Sequence, residues 1–160
     1  MSEKILIVDI DETLVYSREQ MSDSVAVDWE GTTDYTKARP GAHDFLAAAK
    51  AEGWTIISVT QGVVPFQEAV LEAVGMLHYF KDIYGWTSVH RNNVKRPNLS
   101  SDDKWVMVDN LHYTYLAEKE NWIGASFNPL INFVQCDEYR GGVTTCLTTL
   151  LPRIKELFDD

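Results

Sequence analysis

Positive charge is what this sequence has least of. Fourteen Lys and Arg stand against 24 Asp and Glu, giving a net charge of −10 at pH 7. Binding to long nucleic acids or anionic membrane surfaces needs basic patches. Both partners are therefore disfavoured, although a short phosphorylated nucleic-acid end stays open. Cysteine is nearly missing as well: Cys136 and Cys146 are the only two. Their spacing is not that of a metal site, and they suit a reducing compartment. No apolar run is long enough to span a bilayer, and Met1-Ser2-Glu3-Lys4 lacks a signal-peptide pattern. The expectation is a soluble, cytoplasmic domain without a membrane partner. Internal repeats and linkers are absent too. With 45% hydrophobic residues and five Trp, the 160 residues suit one domain with a real core over 1–160.

What is present starts with Ile5-Leu6-Ile7-Val8, a buried strand by its continuous β-branched character. It runs straight into Asp9 and Asp11. Desolvated carboxylates cost several kcal/mol unless neutralised, and the usual partner for such oxygens is a hard cation such as Mg²⁺. A polar segment of about 16–38 follows, with β-prone runs on either side of Glu30-Gly31, and reads as a hairpin flap. Arg39-Pro40-Gly41 stops it. A helix is expected over 42–52, a second buried strand over 54–60 ending at Thr60, and a helix from Val63 to about Leu77. A short strand at 83–86 and a polar loop over 87–103 come next. Then come a third buried strand at 105–110 ending in Asp109-Asn110, a helix over about 113–120, and strands at 122–126 and 132–135. A closing helix from Val143 to Phe158 is bent or split at Pro152. Apolar strands alternating with helices predict an α/β fold: a Rossmann-like, mainly parallel sheet with helices on both faces. In such sheets ligands sit beyond the carboxyl ends of the strands. Asp9, Asp11, Thr60 and Asp109 all fall there.

Val8-Asp9-Ile10-Asp11-Glu12-Thr13-Leu14-Val15 resembles the first motif of the haloacid dehalogenase (HAD) superfamily of aspartate-nucleophile phosphohydrolases. Its Asp-x-Asp-Glu-Thr-Leu-Val form is similar to the branch that includes the RNA polymerase-tail phosphatases, as are Arg39-Pro40-Gly41 and Val108-Asp109-Asn110. The resemblance runs from Ile5 to Asn110. It implies a hydrolase, a Mg²⁺-dependent phosphatase in which Asp9 is the nucleophile that forms an aspartyl-phosphate. Asp11 would be the acid that protonates the leaving oxygen and then the base for water. Thr60 would bond a phosphoryl oxygen, and Lys95, in Val94-Lys95-Arg96-Pro97, would stabilise the charge. Asp9, Asp109 and the backbone carbonyl of Asp11 would hold the metal. Thr13, Gln61, Gly62 and Asn110 in the motifs, and Arg18 and Trp29 in or near the flap, are the candidates to touch substrate. There is no room for a large cap domain, which in this superfamily goes with bulky or macromolecular phosphoesters.

Each assignment has a plainer rival. A calcium loop starting at Asp9 fails, because its sixth position is Leu14 and its twelfth Gln20. Thr60 could cap the next helix, Trp29 could pack the flap onto the body, and Asn110 could be a turn residue. Lys104 competes with Lys95 but lies too close to the start of the acidic strand. The alternative functions are phosphotransfer on the same fold and a receiver-like phospho-acceptor module. A receiver's lysine follows its acceptor strand, whereas Lys95 precedes Asp109. The substrate is left among phosphoproteins, nucleotides or nucleic-acid ends, and small phosphometabolites.

Overall fold

A computed structural model describes residues 2–159. Its centre is a six-stranded sheet in the order β7-β6-β5-β1-β8-β9. The strands are β1 (Lys4–Val8), β5 (Thr55–Val63), β6 (Asp82–Trp86), β7 (Val94–Lys95), β8 (Lys104–Asp109) and β9 (Phe133–Gln135). All neighbours pair in parallel except β7, which runs antiparallel to β6 at the edge. A mixed, mostly parallel Rossmann-like α/β sheet is what the alternating pattern predicts.

Alternation along β1 divides the core in two. Leu6 and Val8 join one apolar cluster, together with Phe45 and Leu46 of α1 (Ala42–Ala51), Val70 and Leu71 of α2 (Val64–Ala73), and Ile154 and Leu157 of α4 (Leu151–Asp159). Ile5 and Ile7 join the other, with Trp122 of α3 (Ala117–Ile123). Helices thus cover both faces, and the C-terminal ends of β1, β5 and β8 share one edge. The segment after β1 forms a separate three-stranded antiparallel sheet, in the order β2-β4-β3: β2 (Val15–Tyr16), β3 (Val25–Trp29) and β4 (Thr32–Ala38). It projects from the functional edge, and no large cap accompanies it among the described residues.

Several local expectations are corrected, and β5 runs on past Thr60 to Val63. Residues 122–126 are not a strand: the helix formers Ala117 to Glu120 carry α3 through Trp122, and Gly124, at φ 80°, ends it in the left-handed conformation. The closing helix begins at Leu151, not Val143, after a short 3-10 turn at Leu147–Leu150, and Pro152 sits harmlessly in its first turn. Residues 137–146 are instead a strap. Asp137 accepts hydrogen bonds from the Thr144 and Thr145 hydroxyls, both at 2.5 Å, and from the Thr145 backbone N–H at 3.0 Å. The second helix ends at Ala73, short of Leu77, where a separate 3-10 turn starts.

Candidate active site

At the functional edge, β1 delivers Asp9 and turns sharply, with the backbone N–H groups of Leu14 and Val15 both donating to the Ile10 carbonyl at 2.9 and 3.2 Å. That turn projects Asp11 from the strand end. β5 brings Thr60 and β8 brings Asp109. A cleft of about 440 Å³ is lined by Asp9, Asp11, Thr60 and Asp109, and also by Gln61, Gly62, Arg18 and Asn110. Thr13 lies wholly buried behind it, its hydroxyl donating to Asp9 Oδ2 at 3.1 Å. Trp29 is beside this cleft rather than in it. It lines an adjoining groove with Phe66, the two rings meeting edge-on at 6.0 Å, so the flap packs on α2 through this contact.

Lys95 is not brought to the acids. It lies on the edge strand β7, and its Nζ reaches back over the Tyr84 ring (5.3 Å) to Asp82 Oδ1 at 2.5 Å, at the N-terminal start of β6. The buried cation of the cleft is Lys119 of α3, whose Nζ donates to Asp9 Oδ1 and to Asp109 Oδ2, both at 2.9 Å. The signal for it in the sequence is spacing: Leu116, Lys119 and Trp122 fall on one helical stripe, and the outer two are core residues. A lysine within an apolar stripe must find carboxylates. Because Lys119 follows Asp109, the order of lysine and acid does not separate this site from a receiver.

The acids accept further hydrogen bonds. Asp109 Oδ1 accepts from the Leu111 backbone N–H at 2.9 Å. With its amide turned to suit its neighbours, Asn110 donates to Asp9 Oδ2 and Asp109 Oδ1, each at 3.1 Å. Asp11 Oδ2 accepts from Gln67 Nε2 of α2 at 2.7 Å. Thr60 Oγ1 accepts from the Gly62 N–H at 3.0 Å, which leaves the hydroxyl hydrogen free to turn into the cleft.

Burial pushes the Asp9 carboxyl up to about 7 against the pull of Lys119, and the charges of Asp109 and Asp11 add to the rise. Asp11 is also raised by burial, opposed by the Gln67 hydrogen bond and by Lys119 and Arg18. Burial alone would lower the affinity of Lys119 for its proton, but Asp9 and Asp109 outweigh it and raise that affinity. Five carboxylates (Asp9, Asp11, Glu12, Asp109 and Glu118) line the cleft against three cations (Lys119, Arg18 and Arg91), which leaves two negative charges uncompensated when all are ionised.

A family model for NLI interacting factor-like phosphatases matches residues 4–157. The chain belongs to this family. It is a phosphatase, a phosphoric monoester hydrolase. Solved structures that are similar include two with modest overlap. An uncharacterized protein from Listeria monocytogenes serotype 4b has 19% identity and a TM-score of 0.48, over 68% of this chain and 67% of that one. A predicted phosphatase from Clostridium acetobutylicum has 17% identity and a TM-score of 0.49, over 76% of this chain and 62% of that one. No curated protein matches.

Proposed function

We propose that this phosphatase hydrolyses phosphomonoesters through an aspartyl-phosphate on Asp9, with Mg²⁺ as cofactor. The observation that carries this is the charge deficit of the cleft: five carboxylates line it against Lys119, Arg18 and Arg91, and Lys119 is the buried one of those cations. No group of three or more His, Cys, Asp or Glu among the described residues is arranged to hold a metal unaided. Mg²⁺ does not ask for one, since it usually keeps several waters and takes one or two carboxylates plus substrate phosphate. The donors therefore fit: the Asp9 and Asp109 carboxylates and the Asp11 backbone carbonyl would hold it. Bound there, Mg²⁺ supplies the missing positive charge, which holds Asp9 ionised and neutralises phosphoryl oxygens.

The chain's own residues then divide the work. An Asp9 carboxylate oxygen bonds to phosphorus as the ester P–O bond breaks, and Asp11 gives its proton to the departing oxygen. Asp11 next takes a proton from water, whose oxygen attacks the same phosphorus. The bond to Asp9 breaks, and inorganic phosphate leaves. Lys119 and the Thr60 hydroxyl meet the charge on the phosphoryl oxygens. The two acids need opposite protonation states at the start. Burial supports this by raising the affinity of Asp11 for its proton, and Asp9 would be held ionised beside a bound cation. With only the three-stranded flap beside the cleft, bulky phosphoesters can reach it.

The test is hydrolysis of p-nitrophenyl phosphate with Mg²⁺ or with EDTA, by wild type, Asp9→Asn and Asp11→Asn, together with intact mass after acid quench. Mg²⁺-dependent turnover is expected, abolished in Asp9→Asn. A phosphoryl adduct should build up in Asp11→Asn. Turnover that survives Asp9→Asn would sink the covalent route, and full activity in EDTA would sink the metal.

A further inference from the structure

Gln67 is a polar side chain in the wrong place for a core residue. It sits on the buried side of α2 at 2% exposure. Its Nε2 donates to Asp11 Oδ2 at 2.7 Å, while its Oε1 is buried with no hydrogen-bond partner. A buried acceptor without a donor is destabilising, so an apolar residue would serve the core better. Room for this amide comes from Gly62: a Cβ there would lie 2.5 Å from Gln67 Nε2 and 3.4 Å from its Cδ and Cγ. Gly62 is on the cleft wall, immediately after Gln61. The glycine and the glutamine thus form one device directed at one carboxylate.

We infer that Gln67, seated against Gly62, is a positioning residue that aims Asp11 at the leaving oxygen. This rests on the reading of Asp11 as acid and base. The hydrogen bond from Nε2 fixes where the Asp11 carboxylate points, and its cost is a buried Oε1 left without a donor.

The experiment compares kcat/KM for p-nitrophenyl phosphate, whose leaving group departs without a proton, with that for β-glycerophosphate, whose alkoxide does not. Wild type, Gln67→Leu, Gly62→Ala and Asp11→Asn are measured with Mg²⁺. In Gln67→Leu the alkyl value should fall on the order of 10²-fold and the aryl value only a few-fold, the size of effect general acid catalysis supplies. Gly62→Ala should move the ratio the same way by displacing the amide. The melting temperature of Gln67→Leu should hold or rise, because an unsatisfied buried acceptor is gone. In its crystal structure the Asp11 carboxylate should leave its present position. A ratio unchanged in Gln67→Leu but changed in Asp11→Asn would overturn the positioning role, as would an unmoved Asp11 in that crystal. A ratio unchanged in Asp11→Asn itself would overturn the underlying acid role instead.

Discussion

Lys119 reaches Asp9 and Asp109 from α3, between the core residues Leu116 at the helix start and Trp122, whereas Lys95 holds a half-exposed ion pair at the far end of β6. The two lysines therefore answer differently to removal. Lys119→Met should cut turnover by about 10²–10³-fold, the range seen when a preorganised charge partner is lost. It should also lower stability by about 3 kcal/mol, because two buried carboxylates lose their common partner. Lys95→Ala should leave turnover near wild type and change stability by less than about 1 kcal/mol, as exposed ion pairs do. Steady-state rates and urea denaturation of the two variants check this, and a dead Lys95→Ala would return the role to β7. The acids and Thr60 were legible as site residues because each follows an apolar run. Lys119 was legible only as an anomaly on a helical stripe.

Between the strands and the C-terminal helix, one side chain ties several elements together. Arg39, 1% exposed, follows β4 and donates to the Thr13 carbonyl at 3.3 Å, to the Asp137 carbonyl at 2.9 Å and to the Thr145 carbonyl at 2.8 Å, and it pairs with the Asp137 carboxylate. The turn that carries Asp11 is thereby fastened to the strap over 137–146, whose Tyr139 N–H also donates to the Glu12 carbonyl at 2.8 Å. Burial would raise the Asp137 carboxyl. The Thr144 and Thr145 hydroxyls, the Thr145 N–H and Arg39 outweigh it and hold it well below the usual carboxylate range. Arg39→Ala should lower stability by about 1–3 kcal/mol, because the carbonyls that the buried guanidinium serves lose their donor, and Arg39→Lys should recover little, since one ammonium cannot replace a forked donor. Chemical denaturation of both variants tests this, and full recovery by lysine would reduce the clamp to a simple charge. Arg39-Pro40-Gly41 was visible in the sequence as a stop to the hairpin. Its partners, about a hundred residues on, were not.

Across the whole molecule the surplus of acid sets the response to pH and to metal. Asp9 binds its proton up to about pH 7 in the folded chain against an ordinary 3.8. Between about pH 4 and 7 the folded state holds a proton that the unfolded state has released. Without metal, stability therefore falls as pH rises through that window and levels off above it. Asp137 acts oppositely: its contribution is present above its ordinary 3.8 and is lost as pH drops further. Melting temperature in EDTA should accordingly peak near pH 4 and decline toward neutrality. Saturating Mg²⁺ should remove the decline by favouring ionised Asp9, adding about 2.7 kcal/mol at a hundredfold excess over Kd. A melting temperature that rises from pH 4 to 7 in EDTA would contradict the burial of Asp9. Sequence alone determined the α/β class and the convergence of Asp9, Asp11, Thr60 and Asp109, because strand periodicity and parallel connections place strand ends on one edge whatever the loops do. Tertiary structure alone decided which cation serves them, what holds Asp11 and what closes the turn behind it. Lys119, Gln67 and the strap partners of Arg39 arrive from 110, 56 and about a hundred residues away. The burial that gives each its force is a property of packed helices, not of any local pattern.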